Sequence, residues 1–230
     1  MKQLIFELAA PEPPVFANFV DGANREAVTA LQALASGRLA ETGVVVWGGA
    51  GVGKTHLLRA TVAAAAAAGR SALYLDDPRA AEPDTAAPGV LVAVDAIDAA
   101  DAIAQGRLFT LYNALAAAEG QLLAAAARAP AQLAMRDDLR TRLGHGLVYE
   151  IVALADADKA TALASYARGR GFRLTDDVLA YLLAHGRRDM ASLVATLAAL
   201  DRHSLATRRP VTVPLLREWL QRDIADQDKC

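Results

Sequence analysis

The chain has 230 residues, 54% of them hydrophobic, and its 24 basic and 26 acidic residues give a net charge of −2. This length allows one large domain or one domain with a small companion, and the charge balance excludes a general electrostatic pull toward nucleic acid, so DNA would be reached only through a partner. The one cysteine, Cys230, excludes an intrachain disulfide, and no apolar run is long enough to span a bilayer, so we expect a cytoplasmic protein without membrane contact.

The chain opens with a segment that we expect to lie outside the folded core. Residues 9–14 read Ala-Ala-Pro-Glu-Pro-Pro, which cannot continue a helix or a β-ladder and favours polyproline geometry. Residues 1–15 are therefore predicted to be a tail on a semi-rigid spacer.

Strand-like and helix-like segments alternate over residues 16–153. The predicted strands are Val44–Trp47, Ala72–Leu75, Val90–Val94, Gln121–Ala125 and Leu147–Val152. The predicted helices lie near residues 22–36, 54–68, 107–119 and 136–143. This alternation predicts an α/β unit whose mostly parallel sheet is covered on both faces. The Leu-Ala run after Gly120 favours a helix by propensity alone, and we assign it to a strand because Gly120 and Pro130 bracket it.

Residues 154–230 show only helical patterns. Ala160, Leu163, Ala164 and Ala167 form an i, i+3, i+4, i+7 stripe, and a second such stripe begins at Met190. Thr175 and Thr212 stand where N-caps would open further helices. We expect a small helical bundle.

Residues 48–55 fit the phosphate-binding pattern G-x-x-x-x-G-K-[ST], between a predicted strand and a predicted helix. Glycines let successive N–H groups point into one concavity, and the helix N-terminus adds partial positive charge. Lys54 is expected to reach the β- and γ-phosphates and the Thr55 hydroxyl to hold Mg²⁺. The alternative is an ordinary Gly-rich turn. The predicted nucleotide-binding residues of this segment are Gly48, Gly49, Ala50, Gly51, Val52, Gly53, Lys54, Thr55 and His56.

The predicted strand Val90–Val94 is followed by Asp95, the expected carboxylate beside the Mg²⁺ ion. The alternative is that Asp95 only caps a turn. In hydrolysing relatives of this architecture the next residue is usually acidic and orients the attacking water, but here it is Ala96. Loss of a general base lowers a rate by about 10²–10⁴, so we expect nucleotide binding with little turnover unless Asp98 substitutes.

Several segments, in order along nearly the whole chain, resemble the AAA+ modules of the DnaA branch. They are Phe19–Asn24, Leu108–Asn113, Asp138–Gly146, residues 158–172 and Leu200–Ser204. The resemblance is to the regulatory members that inactivate the replication initiator DnaA, because no helix-turn-helix module follows residue 225. It implies an α/β P-loop AAA+ base over residues 16–153, with an α-helical lid over residues 154–230.

The same resemblance implies roles for two arginines. Arg142 matches the arginine finger that acts in trans on a neighbour's γ-phosphate, with Arg140 as its rival and a surface ion pair to Asp138 as the alternative. Arg188 matches the sensor II arginine of the lid. A cation there lies near a helix N-terminus and needs an anion, either Asp189 or a phosphate. The sensor I position falls among Ala124–Ala127, without the usual polar side chain.

The tail resembles the hexapeptide by which bacterial proteins dock on the DNA polymerase III sliding clamp, the beta subunit. Its residues are Gln3, Leu4, Ile5, Phe6, Glu7 and Leu8. The pattern has low specificity by itself, because a glutamine and three apolar anchors are common.

The resemblance implies a clamp-tethered, ADP-bound regulator that stimulates ATP hydrolysis on DnaA, with little or no ATPase activity of its own. Two alternatives stay open: an ATPase that loads a helicase or clamp, and a DnaA-like initiator paralogue. Self-association is also left open.

Overall fold

A computed structural model describes residues 13–227 and shows a five-stranded parallel sheet. The strands are β1 Gly43–Trp47, β2 Ala72–Leu75, β3 Leu91–Val94, β4 Gln121–Ala126 and β5 Leu147–Glu150. Their spatial order is β2-β3-β4-β1-β5, and each neighbouring pair is parallel. The predicted α/β fold with a parallel sheet is therefore confirmed, including the alanine-rich strand β4.

Four helices cover the two faces of this sheet: α1 Arg25–Ala35, α2 Lys54–Ala67, α3 Ala102–Ala117 and α4 Asp137–His145. Side chains alternate between the faces along each strand. Val44 and Val46 therefore pack in a core with α1 and α2, whereas Val45 lies in a second core with α3 and α4. Two buried layers thus hold the carboxyl ends of the strands at one edge of the sheet.

Two boundaries differ from the sequence predictions. Helix α3 begins at Ala102, five residues before the predicted start, because the Asp101 carboxylate caps it by accepting a hydrogen bond from Ala104 N at 2.9 Å. Strand β5 ends at Glu150 instead of Val152. The backbone N–H and carbonyl groups of Val152 instead form hydrogen bonds with the side chain of Asn24, so Val152 does not extend the β1–β5 pairing.

The helices after residue 155 are α5 Asp156–Gly169, α6 Asp176–His185, α7 Met190–Thr207 and α8 Val213–Gln227. They enclose a separate core that includes Leu163, Leu182, Leu197 and Leu216. Thr175 does precede α6, but its side chain forms no capping hydrogen bond. None of the helices in the described part of the chain is long and apolar enough to cross a membrane.

Candidate functional site

The segment Gly48–Gly53 joins β1 to α2 in a loop that only glycine allows at several positions. Gly51 and Gly53 have φ of +74° and +102°, in the left-handed region that favours glycine. A Cβ added at Gly48 would lie 2.3 Å from the carbonyl oxygen of Ile151, and one at Gly53 would lie 2.7 Å from Cε2 of Phe19. The glycines of the motif are therefore required by the path of this loop.

Lys54 begins α2 and folds back over the loop. Its Nζ donates hydrogen bonds to the carbonyl oxygens of Gly48 and Gly49, each at 2.7 Å. Burial lowers the pKa of Lys54, and the negative charges of Asp95 and Asp98 oppose that shift. A phosphate group would offer this ammonium charged acceptors in place of two neutral carbonyls, which makes the lysine suited to a polyphosphate.

Asp95 follows β3 and is only 8% exposed. Its Oδ2 accepts hydrogen bonds from Thr55 Oγ1 at 2.6 Å and from the Tyr74 hydroxyl at 3.1 Å, while Oδ1 accepts one from Ala96 N at 2.9 Å. A hydroxyl and a carboxylate thus meet beside the phosphate loop. This pair of oxygen donors fits Mg²⁺, which takes few protein ligands and completes its shell with phosphates and water.

The neighbouring position is not equipped for proton transfer. Ala96 lies in the left-handed region with φ of +48° and carries only a methyl group. Asp98 is turned to the end of β4, where its Oδ1 accepts a hydrogen bond from Ala127 N at 3.0 Å. The acid that was considered as a substitute therefore already serves as an acceptor for that backbone group.

A cavity of about 410 Å³ lies between the phosphate loop and the helical region. Arg188 and Lys159 line it together with the loop residues Ala50, Gly51 and Val52. Arg188 thus borders the same cavity as the phosphate loop, about 135 positions away in sequence, and its sensor II role stays a prediction.

Arg188 forms no ion pair within the described residues, although Asp189 was considered as its partner. Asp189 instead lies 3.8 Å from Arg187 Nε and caps α7 by accepting a hydrogen bond from Ser192 N at 2.8 Å. Burial raises the pKa of Asp189, but the hydrogen bonds from Ser192 and the charge of Arg187 hold it below its ordinary value. The cation at position 188 is left for an external anion.

Val15 and Phe19 lie against His56 of α2, the helix that begins at Lys54. The ring of Phe19 lies 5.5 Å from that of His56, and His56 Nε2 lies 3.0 Å from the carbonyl oxygen of Val15. His56 is not among the residues that line the cavity, so its predicted contact with nucleotide stays a prediction.

Two families match separate parts of the chain. Residues 156–220 match the family described as Hda, lid domain, and residues 12–76 match the bacterial DnaA ATPase domain. Both matches are to DnaA-related protein families. Part of the α/β base thus matches the DnaA ATPase domain, and most of the helical bundle matches the Hda lid domain.

Solved structures share the fold of this chain. Domain III of the replication initiation protein DnaA from Thermotoga maritima aligns with a TM-score of 0.75 and 18% identity over 91% of this chain and 96% of that one. AMPPCP-bound DnaA from Aquifex aeolicus gives 0.71 and 20% over 95% and 70%. The RuvB Holliday junction branch migration motor of Thermotoga maritima gives 0.70 and 13% over 91% and 72%. At these identities the likeness concerns the fold alone.

Arg142 lies on α4 and is exposed, with its guanidinium 6.0 Å from the centre of the Tyr112 ring. The ion pair to Asp138 that we considered is not formed, because Asp138 binds Arg136 at 2.6 Å. The rival Arg140 is paired with Asp137. Of these three arginines, Arg142 is the one without an ion pair among the described residues.

Sequence reasoning missed Tyr74 and Lys159. Tyr74 stands near the end of β2, next to β3, and a polar side chain at that edge was the available signal. Lys159 lies in the segment 158–172 that carries part of the family resemblance, but no role was predicted for it. Its burial depends on how α5 packs. The predicted clamp-binding residues 3–8 lie outside the described residues.

Proposed function

We propose that this protein is a nucleotide-bound regulator of replication initiation that stimulates ATP hydrolysis on DnaA. The observation that carries the proposal is the contrast between two parts of the molecule. The proposed nucleotide site has the phosphate loop and Asp95 but Ala96 in place of the second acid, whereas Arg142 is exposed and has no ion pair with any residue that the structure describes. Arg142 is therefore proposed to act on a nucleotide that a partner protein binds, and not on the nucleotide of this chain.

An arginine is suited to that task because its planar guanidinium binds two phosphate oxygens at once. Supplied in trans, such a group is worth about 10³–10⁵ in rate for phosphoryl transfer. The ion pairs of Arg136 and Arg140 hold their guanidinium groups to α4, while that of Arg142 lies near the Tyr112 ring and forms no ion pair within residues 13–227. This arrangement supports Arg142, rather than Arg140, as the finger.

The bound nucleotide in the working form is proposed to be ADP with Mg²⁺. Lys54 and Arg188 are positioned for its phosphates, and Thr55 and Asp95 for the metal ion. The match of residues 156–220 to the Hda lid family supports a regulator rather than an initiator. Residues 3–8 are proposed to tether the protein to the sliding clamp, where a second contact with DnaA becomes effectively intramolecular.

A single-turnover assay of radiolabelled DnaA·ATP, with clamp loaded on DNA, tests this proposal. The unmodified protein should accelerate hydrolysis, and Arg142→Ala should abolish most of the acceleration while ADP and clamp binding persist. Arg140→Ala is the matched control, two residues away on the same helix, and should retain activity.

Each other outcome has a clear meaning. Full stimulation by Arg142→Ala with loss in Arg140→Ala would move the finger by two residues. No stimulation by the unmodified protein, together with ATP turnover of its own that DNA accelerates, would favour a helicase- or clamp-loading ATPase.

A further inference from the structure

Lys159 is a buried cation beside the phosphate loop, and the proposed function gives it no role so far. It lies in the first turn of α5 and is only 7% exposed. Its Nζ is 3.4 Å from Oδ1 of Asp156, whose own side chain is 71% exposed. An ammonium group has three donors. Within the described residues, this long contact is the hydrogen bond that its side chain makes.

Three physical effects disfavour a cation at this position in the absence of a ligand. Burial removes water from the ammonium group, which is costly unless close partners replace it. A solvent-exposed carboxylate at 3.4 Å replaces little of that solvation. The first turn of a helix also carries the positive end of the helix dipole, which repels a second positive charge.

The cavity that Lys159 lines suggests what completes its contacts. Its walls include Ala50, Gly51 and Val52 of the phosphate loop, the carboxylates of Asp156 and Asp189, and a second cation, Arg188, that has no ion pair among the described residues. The acid at position 189 is already engaged by Ser192 and Arg187. Two incompletely paired cations and a loop of backbone donors therefore surround one space of about 410 Å³, a size suited to a small anionic ligand.

We propose that Lys159 binds the phosphate groups of the nucleotide, as a second cation of the lid beside Arg188. This inference rests on the proposed function, since it names a further ligand-binding residue of the same site. A lysine ammonium is a compact point charge with three donors, so it can contact oxygens of more than one phosphate. The contact would link α5 to the ligand independently of α7, which follows Arg188.

Competition against a fluorescent methylanthraniloyl-ADP probe tests this role in the full chain. Dissociation constants are measured for ADP and for inorganic pyrophosphate, with Lys159→Met, Lys159→Arg and the control Arg168→Met, which removes an exposed cation from the last turn of the same helix. Lys159→Met should weaken both ligands by about tenfold or more, because a charge-assisted hydrogen bond is lost. Lys159→Arg should recover most of the affinity, and Arg168→Met should match the unmodified chain.

The outcomes separate this inference from the proposed function. Unchanged ADP affinity in Lys159→Met, with loss of affinity in Lys54→Ala, would overturn the inference and leave the nucleotide site intact. No binding of the probe by the unmodified chain would overturn both. Weakening for ADP but not for pyrophosphate would refute the phosphate contact. If Lys159→Met fails to fold, Lys159→Gln replaces it, and unchanged affinity of that folded variant for both ligands would overturn the inference.

Discussion

Asp95 and Ala96 separate two tasks that adjacent acids share in hydrolysing relatives. The Asp95 carboxylate is fixed by the hydroxyl groups of Thr55 and Tyr74, at 2.6 Å and 3.1 Å. The methyl group of Ala96 cannot accept a proton from water, and Asp98 is already hydrogen-bonded to Ala127 N. Binding and hydrolysis are therefore separable at this site, and we expect a chain that keeps the nucleotide it binds.

At the residue scale, Lys54 offers the first prediction. ADP with Mg²⁺ at about a hundred times its dissociation constant should stabilise the unmodified protein by roughly 2.7 kcal/mol. Lys54→Ala should reduce this gain, because the ammonium that now bonds the carbonyls of Gly48 and Gly49 is the group expected to bind phosphate. Thermal unfolding with and without ADP measures the effect. A full shift in Lys54→Ala would show that the nucleotide binds elsewhere.

The backbone at Ala96 gives a second prediction. A residue with a Cβ at φ of +48° carries a steric cost of roughly 1–2 kcal/mol that glycine avoids. Ala96→Gly should therefore stabilise the protein by about 0.5–1 kcal/mol, after the entropy that glycine adds to the unfolded chain. Ala129, whose φ is −57°, serves as the control, and Ala129→Gly should destabilise. Urea unfolding that ranks the two variants in the opposite order would contradict this strain.

At the scale of elements, the sequence was most informative where burial and local chemistry agree. The β1 strand and the α2 helix flank a phosphate motif, so the type of each element followed from its neighbours. Strand β4 was predictable only through its breakers, because its alanines favour a helix, and it forms a strand since β1 and β3 bury it completely on both sides. Tertiary packing overrides local propensity there.

The start of α3 and the position of Lys159 show what the sequence could not provide. Aspartate is a common N-cap residue, so Asp101 was a readable signal, but the predicted helix began at residue 107 and left this signal unused. Lys159 lines the same cavity as the phosphate loop, although the two are about 105 residues apart in the sequence, and its burial depends on how α5 packs. Chemistry within one motif was predictable, whereas chemistry assembled from distant segments was not, except where a family resemblance supplied it.

The N-terminus of α7 carries a prediction about pH. The pKa of Asp189 lies below its ordinary value in the folded protein, so its stabilising effect is fully present above the unfolded pKa of about 3.9 and is lost as the pH falls through the folded pKa. Asp189→Ala should cost about 1 kcal/mol at pH 7 and progressively less as the solution is acidified below about pH 4.

Urea unfolding at pH 7 and at pH 3 measures this difference. Asp189→Asn is the control, because an amide oxygen caps Ser192 N without titrating; it should lie near the unmodified protein at pH 7 and remove the pH-dependent part. An equal cost of Asp189→Ala at both pH values would mean that the charge of the carboxylate contributes nothing.

At the scale of the whole molecule, Asn24 connects the start of α1 to the segment that leads from β5 to α5. Its side chain is 4% exposed, donates to the carbonyl oxygen of Val152 at 3.0 Å and accepts from Val152 N at 2.9 Å, in the segment between β5 and α5. Asn24→Ala should cost about 1–3 kcal/mol, because it leaves two backbone groups without their partner. The substitution should also weaken ADP binding, because this segment lines the cavity beside the phosphate loop.

Asn113→Ala on α3 is the control for Asn24. Its amide makes no hydrogen bond within the described residues, so removing it should leave stability within about 0.5 kcal/mol. Denaturant unfolding and ADP titration of both variants decide the matter. Equal ADP affinity in Asn24→Ala and the unmodified chain would show that this link does not position the lid.

The last prediction concerns how the tail relates to the folded body. Replacing Gln3 and Leu4 by alanine should abolish clamp binding, because these residues supply the polar and apolar anchors of the proposed docking segment. The melting temperature and the ADP affinity should not change, since the proline-rich sequence of residues 9–14 predicts a spacer between residues 3–8 and the folded core. Surface plasmon resonance on immobilised clamp measures the binding, with Lys2→Ala as the control. Unchanged clamp affinity would refute the docking assignment, and a lowered melting temperature would instead place the segment within the folded core.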